Sequence, residues 1–177
     1  MQPQALRLSE ITISNLRSIQ KQTFPLSSFT ALIGYNNAGK TNILMGIRWL
    51  LSRFSLDISY FDDPNIPVEV EGVFEGITEN VLNRLGEEKA AEVQPYLVNG
   101  MLRIKKVQRV PGEVPDNIEF WAFVPPNHRS SKKSCWERWQ VRVWAALCSS
   151  LSPEACSPTS IFTVFRRIPE RAMTPAI

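Results

Sequence analysis

The residues with the clearest chemical potential occupy positions 34–41, where the sequence GYNNAGKT matches the phosphate-binding pattern GxxxxGK[ST], the P-loop. The two glycines of the pattern, Gly34 and Gly39, let the backbone curve closely around a phosphate, so that successive N–H groups point at it. Lys40 is the residue type that reaches the β- and γ-phosphates, and the Thr41 hydroxyl is the type that ligates Mg²⁺. The pattern predicts a nucleotide site, and the alternative is a chance glycine turn ahead of a helix.

The segments on either side of this loop have the periodicities that such a site requires. Residues 29–33, FTALI, form a short apolar run that predicts a strand ending at Gly34. From Thr41 onward, apolar residues recur at positions 43, 44, 47, 50 and 51, which predicts an amphipathic helix to about Ser52. A strand before the loop and a helix after it favour phosphate binding over a chance match.

Further segments complete the prediction of an α/β fold. Alternating or mostly apolar runs predict additional strands, and two stretches on either side of Gly86 predict short helices, with Pro95 weakening the end of the second. The predicted strands are residues 11–14, 21–24, 68–75, 101–110 and 118–124, and the predicted helices are residues 79–85 and 87–96.

Composition argues against several classes of protein. The chain has 177 residues, and no apolar run approaches the roughly 20 residues that span a bilayer. Residues 1–4 carry neither the basic nor the apolar region of a signal peptide, so we expect a cytoplasmic protein without a membrane span. A single histidine, His128, and three cysteines without CxxC spacing argue against a zinc site, a disulfide set or a Ser-His-Asp triad.

The composition changes sharply near residue 127. All eight glycines lie at or before Gly112, whereas all three cysteines lie at or after Cys135. Residues 1–127 carry 12 basic and 14 acidic side chains, and residues 128–177 carry 8 and 3. The sequence therefore predicts two parts, a domain at 1–127 and a basic tail with tryptophans and cysteines at 128–177.

Three interpretations of this tail are open. Basic residues interleaved with Trp136, Trp139 and Trp144 are typical of single-strand binding, in which charges meet phosphates and rings stack on bases. Trp136, Trp139, Val143 and Leu147 also share one helical face, which is typical of a packed core. The joint loss of Gly, Asp and Asn is typical of a tail translated out of the ancestral frame, or of one that is poorly ordered.

Around the loop the sequence resembles the N-terminus of ABC-type P-loop ATPase heads, and most closely the overcoming-lysogenization-defect (OLD) family of ATP-dependent nucleases and the related RecF- and SMC-like AAA family ATPases. A strand, the segment Asn15-Leu16-Arg17-Ser18, a hairpin and a GxNNxGK[ST] loop occur here in that family's order. The resemblance covers about residues 8–76, including YFDDP at 60–64. It implies a partial α/β head, the N-terminal lobe, with a mixed sheet and an irregular C-terminal tail.

The resemblance also implies ATP and Mg²⁺ as cofactors. It places residues 36–41 around the phosphates, Thr41 on the metal, Asn42 near the α-phosphate and Arg17 beside the nucleotide. The alternatives are a solvated charge for Arg17, an ordinary first-turn residue for Asn42, and either stacking or solvent exposure for Tyr35. The implied site residues are Gly34, Asn36, Asn37, Ala38, Gly39, Lys40, Thr41, Asn42 and Arg17.

The parts with which this family hydrolyses ATP and cleaves nucleic acid are not recognisable in the sequence. These parts are a Walker B strand ending in acidic residues, a signature loop and a Toprim nuclease domain. The nearest Walker B similarity, at residues 58–63, is interrupted by serine and followed by Pro64, which favours a turn. No residue is therefore assigned to orient an attacking water.

The resemblance implies ATP binding by a partial ATPase domain of a DNA repair or defence type of protein. Its implied partners are a second ATPase head or a separately encoded remainder, with DNA contacted through the complete complex. A non-catalytic interaction or decoy fragment that keeps the loop as a structural turn is the alternative hypothesis. A nucleotide kinase is a third, weakened because the chain shows no second acidic motif.

Overall fold

The computed structural model of the chain describes residues 6–35, 39–125 and 135–138. Across these ranges six strands form one sheet, and three α-helices accompany it. The strands are β1 (Arg7–Leu16), β2 (Ile19–Pro25), β3 (Val68–Glu75), β4 (Leu102–Gln108), β5 (Glu119–Val124) and β6 (Cys135–Arg138), and the helices are α1 (Lys40–Leu51), α2 (Glu79–Leu85) and α3 (Glu87–Val93).

The sheet is antiparallel throughout, so the predicted mixed sheet is wrong for the part of the chain that the structure describes. Its strand order is β2-β1-β3-β4-β5-β6, and each neighbouring pair runs antiparallel. The strands β1 and β2 form a hairpin, and β3 to β6 follow one another in space as they do in sequence. The connection from β2 to β3 contains α1 and skips β1, so that β3 pairs antiparallel with the free side of β1. Among the described strands no two neighbours are therefore parallel.

The strand predicted at residues 29–33 does not form. Residues 29–35 have no regular secondary structure, and the side chains of Phe29 and Ile33 are 73% and 93% exposed. A strand needs a neighbour to pair with its backbone N–H and C=O groups, and the described sheet ends at β2 on one side and β6 on the other. The apolar run alone was therefore an insufficient signal.

Two glycines allow α1 to lie very close to the sheet. A β-carbon built on Gly46 would lie 2.5 Å from Cδ1 of Ile13, and one built on Gly72 would lie 2.6 Å from Cδ2 of Leu50. Ile13 and Leu50 are fully buried, so the helix and strands share one core. The absence of a side chain at Gly46 thus sets the separation of α1 from β1.

Two buried polar side chains on β4 fix the end of α1 and the chain that follows. The ammonium of Lys106, which is fully buried, donates to the carbonyl oxygens of Trp49 and Ser52 at 2.7 Å each. It also lies 4.4 Å from the centroid of the Trp49 ring. Gln108 donates to the carbonyl of Leu56 at 2.7 Å and accepts from its N–H at 2.8 Å. A cation at the C-terminus of α1 complements the helix dipole.

The remaining predicted elements are confirmed. The strand at 68–75 and the helix at 79–85 have the predicted bounds, and the segments 11–14 and 21–24 lie within β1 and β2. The strands predicted at 101–110 and 118–124 are shorter, and the helix predicted at 87–96 ends at Val93, where a 3-10 turn containing Pro95 follows. No helix within the described ranges combines the length and the apolar composition needed to cross a membrane.

The strand β6 lies beyond the predicted boundary at residue 127 and continues the sheet. Its Trp136 pairs with Phe123 of β5, and the two rings meet edge to face with centroids 5.6 Å apart. The prediction of an irregular tail is therefore wrong at residues 135–138, and the prediction of a helical face is wrong at Trp136. The other members of that face, Trp139, Val143 and Leu147, lie outside the described residues, and the two-part division stays a prediction.

Candidate functional site

The helix α1 begins directly at the end of the glycine loop. Gly39 is the N-cap residue, and its φ of +84° lies in the left-handed region that favours glycine. The cap has no side-chain acceptor, and the first turn of α1 has no acidic residue. The first N–H groups of the helix and their partial positive charge therefore face the loop without a neutralising carboxylate from that turn.

The side chain of Lys40 folds back across the loop. Its ammonium donates to the carbonyl oxygens of Gly34 and Tyr35, at 2.7 Å each. The Tyr35 side chain is 92% exposed, so its ring is open to solvent and to stacking alike. Three predicted site residues, Asn36, Asn37 and Ala38, lie outside the described residues.

The first turn of α1 also carries the predicted metal ligand, Thr41, whose side chain is exposed. In the described ranges no cluster of three or more His, Cys, Asp or Glu side chains could hold a metal ion. A single hydroxyl does not bind Mg²⁺ tightly, but Mg²⁺ in nucleotide sites takes few protein oxygens and fills its octahedron with phosphate oxygens and water. The donor set present here fits an ion that is delivered with a nucleotide.

The hairpin turn between β1 and β2 brings Arg17 to the same end of α1. A guanidinium nitrogen of Arg17 lies 3.5 Å from Oδ1 of Asn42, and the amide nitrogen of Asn42 donates to the hydroxyl of Ser18 at 2.9 Å. Asn42 is therefore tied to the hairpin as well as being a first-turn helix residue. Arg17 is half-buried against the helix, so it is not a freely solvated charge.

Tyr60 contacts Arg17, although no sequence pattern predicts a role for it. The N–H of Arg17 donates to the Tyr60 carbonyl at 2.8 Å, and the guanidinium carbon lies 4.4 Å from the centroid of the Tyr60 ring. Tyr60 ends a 3-10 turn, Ile58–Tyr60, that Asp57 caps by accepting hydrogen bonds from Ser59. These hydrogen bonds, and more weakly the charge of Arg17, hold the pKa of Asp57 below its usual value.

Asn15 fastens the loop that follows this turn. Its buried amide donates to the carbonyl oxygens of Asp63 and Ile66, and its oxygen accepts from the N–H of Asp63 at 2.8 Å. The Asp63 carboxylate accepts from the N–H of Asn65, which forms a local Asx turn. The prediction of a turn for the Walker B similarity is therefore confirmed.

The structure thus gathers Gly34, Gly39, Lys40, Asn42 and Arg17 around the N-terminus of one helix packed on a sheet. Two cationic side chains and a helix N-terminus whose cap is a glycine in the left-handed conformation are the elements of an anion site for phosphate groups. A GxxxxGK[ST] loop that opens a helix is typical of a P-loop ATPase domain, and of the two flanking elements predicted for it the helix is present and the strand at 29–33 is not.

Comparison with known proteins agrees with this class. The family model described as the AAA ATPase domain matches residues 7–136, and the chain belongs to this family. The chain is also similar to the Old nuclease of Escherichia phage P2, with 44% identity over 103 residues, which is 58% of this chain. Those residues cover 18% of the phage protein, so the chain spans less than a fifth of that relative's length.

Proposed function

We propose that this chain binds ATP with Mg²⁺ at the loop of residues 34–42. The observation that carries the proposal is the start of α1 at the glycine cap Gly39, with Lys40 in its first turn and Arg17 against it. No acidic residue in the first turn opposes this positive charge. Membership of the AAA ATPase family supports a nucleotide as the anion.

Each proposed site residue has a distinct part in binding. The first N–H groups of α1 donate to phosphate oxygens. The Lys40 ammonium leaves the carbonyls of Gly34 and Tyr35 and donates to a phosphate instead. The Thr41 hydroxyl is the proposed ligand of Mg²⁺, which supplies charge neutralisation between the phosphates when it is bound. Asn42 and Arg17 line the hairpin side of the site. The remaining proposed members, Asn36, Asn37 and Ala38, complete the loop.

We expect binding without efficient turnover by this chain alone. Within the described ranges no carboxylate hydrogen bonds to Lys40, Thr41 or Asn42, and no general base is evident there. A second ATPase head or a separately encoded remainder is the proposed source of the missing groups. A role in DNA repair or defence, with DNA contacted through the complete complex, is proposed from the similarity to the Old nuclease.

Calorimetric titration of the full chain with ATP, with and without Mg²⁺, tests the proposal. We expect magnesium-dependent binding that Lys40→Ala weakens by about 10- to 100-fold, because charge-assisted hydrogen bonds contribute about 1.5–3 kcal/mol each. Lys89→Ala is the matched control, since Lys89 is an exposed lysine on α3. Equal, weak binding by wild type and Lys40→Ala would remove the proposal.

The same titration decides the competing function, a non-catalytic fragment that keeps the loop as a structural turn. The observation that favours it is the pair of hydrogen bonds from Lys40 to the carbonyls of Gly34 and Tyr35, which ties the start of α1 to the beginning of the loop. In that case Lys40→Ala lowers thermal stability and leaves ATP binding unchanged. Under the ATP-binding proposal, the larger effect of Lys40→Ala is on affinity.

A further inference from the structure

We infer that Tyr60 is a positioning residue for the proposed ATP site, because its carbonyl binds the backbone N–H of Arg17 and its ring holds the Arg17 guanidinium beside Asn42. The inference rests on the proposed function and assigns a role to a residue that contacts the site only through Arg17.

The backbone of Arg17 requires such support. Arg17 has a φ of +51°, in the left-handed region that non-glycine residues seldom adopt. It occupies the two-residue turn between Leu16 and Ile19, which are paired across the hairpin. A residue in a rare conformation persists when its surroundings fix it, and here the N–H of Arg17 donates to the Tyr60 carbonyl at 2.8 Å.

The side chain of Arg17 is oriented mainly by the ring of Tyr60. The guanidinium carbon lies 4.4 Å from the ring centroid, well within the range of a cation–π contact. The hydrogen bond to Asn42, at 3.5 Å, is at the long limit for such a bond. A long arginine side chain that is already oriented loses less rotamer freedom when it binds an anion.

The backbone of Tyr60 is anchored by the residues before it and after it in the sequence. Before Tyr60, the turn is capped by Asp57, and the N–H of Tyr60 donates to the Asp57 carbonyl at 3.1 Å. After it, the buried Phe61 forms a bridge with Leu16 at the end of β1. The segment that carries the Tyr60 ring is therefore attached to the end of β1, which Arg17 directly follows.

This arrangement distinguishes positioning from direct stacking on a base. The cation of Arg17 lies over the Tyr60 ring, so the ring affects ligand binding through the guanidinium. The part of the ligand that it affects is therefore the phosphate groups. Loss of the ring then weakens ATP, GTP and inorganic triphosphate by the same factor. A ring that stacked on the base would affect only the two nucleotides.

The test measures the dissociation constants of these three magnesium-bound ligands for the full chain and its variants. We expect Tyr60→Leu to weaken all three by about two- to fivefold, the range of an exposed cation–π contact. Tyr60→Phe keeps the ring face and binds as wild type does. In an Arg17→Gln background, Tyr60→Leu causes no further loss, because its effect is exerted through Arg17.

Three outcomes overturn the inference: unchanged binding by Tyr60→Leu, losses that add to those of Arg17→Gln, or a loss confined to the nucleotides. A measurement that needs no folded Tyr60→Leu protein is the NMR resonance of the Arg17 Nε–H group in wild type and Tyr60→Phe. We expect a ring-current shift in both, and its absence in wild type also overturns the inference. Failure of wild type to bind ATP removes the proposed function itself, before any Tyr60 variant is compared.

Discussion

Replacing Gly46 by alanine tests how closely α1 is held against the sheet. The new methyl group would lie 2.5 Å from Cδ1 and 3.1 Å from Cγ1 of Ile13, which is fully buried. Overpacking of this kind costs about 1–3 kcal/mol, whereas alanine in place of glycine returns about 0.5–1 kcal/mol of helix propensity. We therefore expect Gly46→Ala to lower the free energy of unfolding by about 1 kcal/mol.

Ile13→Val removes the Cδ1 atom with which the new methyl group collides. Alone, it is expected to cost about 1 kcal/mol for the lost methyl group. In the double variant the alanine methyl occupies that space, so the two losses do not add. We expect the double variant to be about 1–2 kcal/mol more stable than the sum of the single changes predicts.

Urea unfolding followed by tryptophan fluorescence measures this coupling, and Trp49 on α1 is fully buried. Asn42 lies one helical turn before Gly46, so the same pair of variants reports on the site. We expect ATP affinity to fall in Gly46→Ala and to recover in the double variant. Additive losses within about 0.5 kcal/mol, or a stabilised Gly46→Ala, would refute the close approach of α1 to β1.

Three other changes test separate contacts. Lys106→Met removes the buried ammonium from the carbonyls of Trp49 and Ser52. Because a buried charge is also removed, which offsets part of the loss, we expect the free energy of unfolding in urea to fall by about 2 kcal/mol. A fall of less than about 0.5 kcal/mol would contradict the anchoring role of Lys106. Asn15→Ala and Asn15→Gly both lose the amide contacts to the loop, but only alanine is strained at the φ of +56°. We therefore expect Asn15→Ala to be less stable than Asn15→Gly by about 1 kcal/mol in thermal unfolding, and equal stability of the two would argue against backbone strain there. The lowered pKa of Asp57 contributes stability above the ordinary carboxyl value of about 4, and this contribution is lost as the pH falls through the lower folded value. The difference in stability between wild type and Asp57→Asn should therefore shrink on acidification, and a difference that does not depend on pH would argue against a role for the Asp57 charge in this cap.

The elements that the sequence predicted well are those whose signal is local. The helix α1 carries its own 3.6-residue periodicity and begins after a glycine, so its bounds differ from the prediction by about one residue. The strand β3 alternates buried and half-buried residues along its whole length, as its sequence does. The loop motif also depends only on neighbouring residues.

The features that were missed depend on contacts between distant segments. Lys106 was indistinguishable in sequence from an exposed lysine, because its burial is set by the end of α1. Tyr60 meets Arg17 because the bridge between Phe61 and Leu16, and the bonds from Asn15 to the 63–66 loop, bring a distant segment to the end of β1. The segment at 29–33 had the composition of a strand, but strand formation requires a neighbour that no local pattern specifies.

The central claim is that ATP binds at the N-terminus of α1, and its most direct test is an amide NMR titration of the full chain with Mg·ATP. The account predicts that the largest shifts fall on the N–H groups of residues 39–43 and on the side chain of Arg17, and that Lys40→Ala raises the ATP concentration needed for them by about 10- to 100-fold. Shifts confined to another surface, such as the side of the sheet that carries Arg103 and Trp136, would contradict it, as would an unchanged spectrum at saturating ATP.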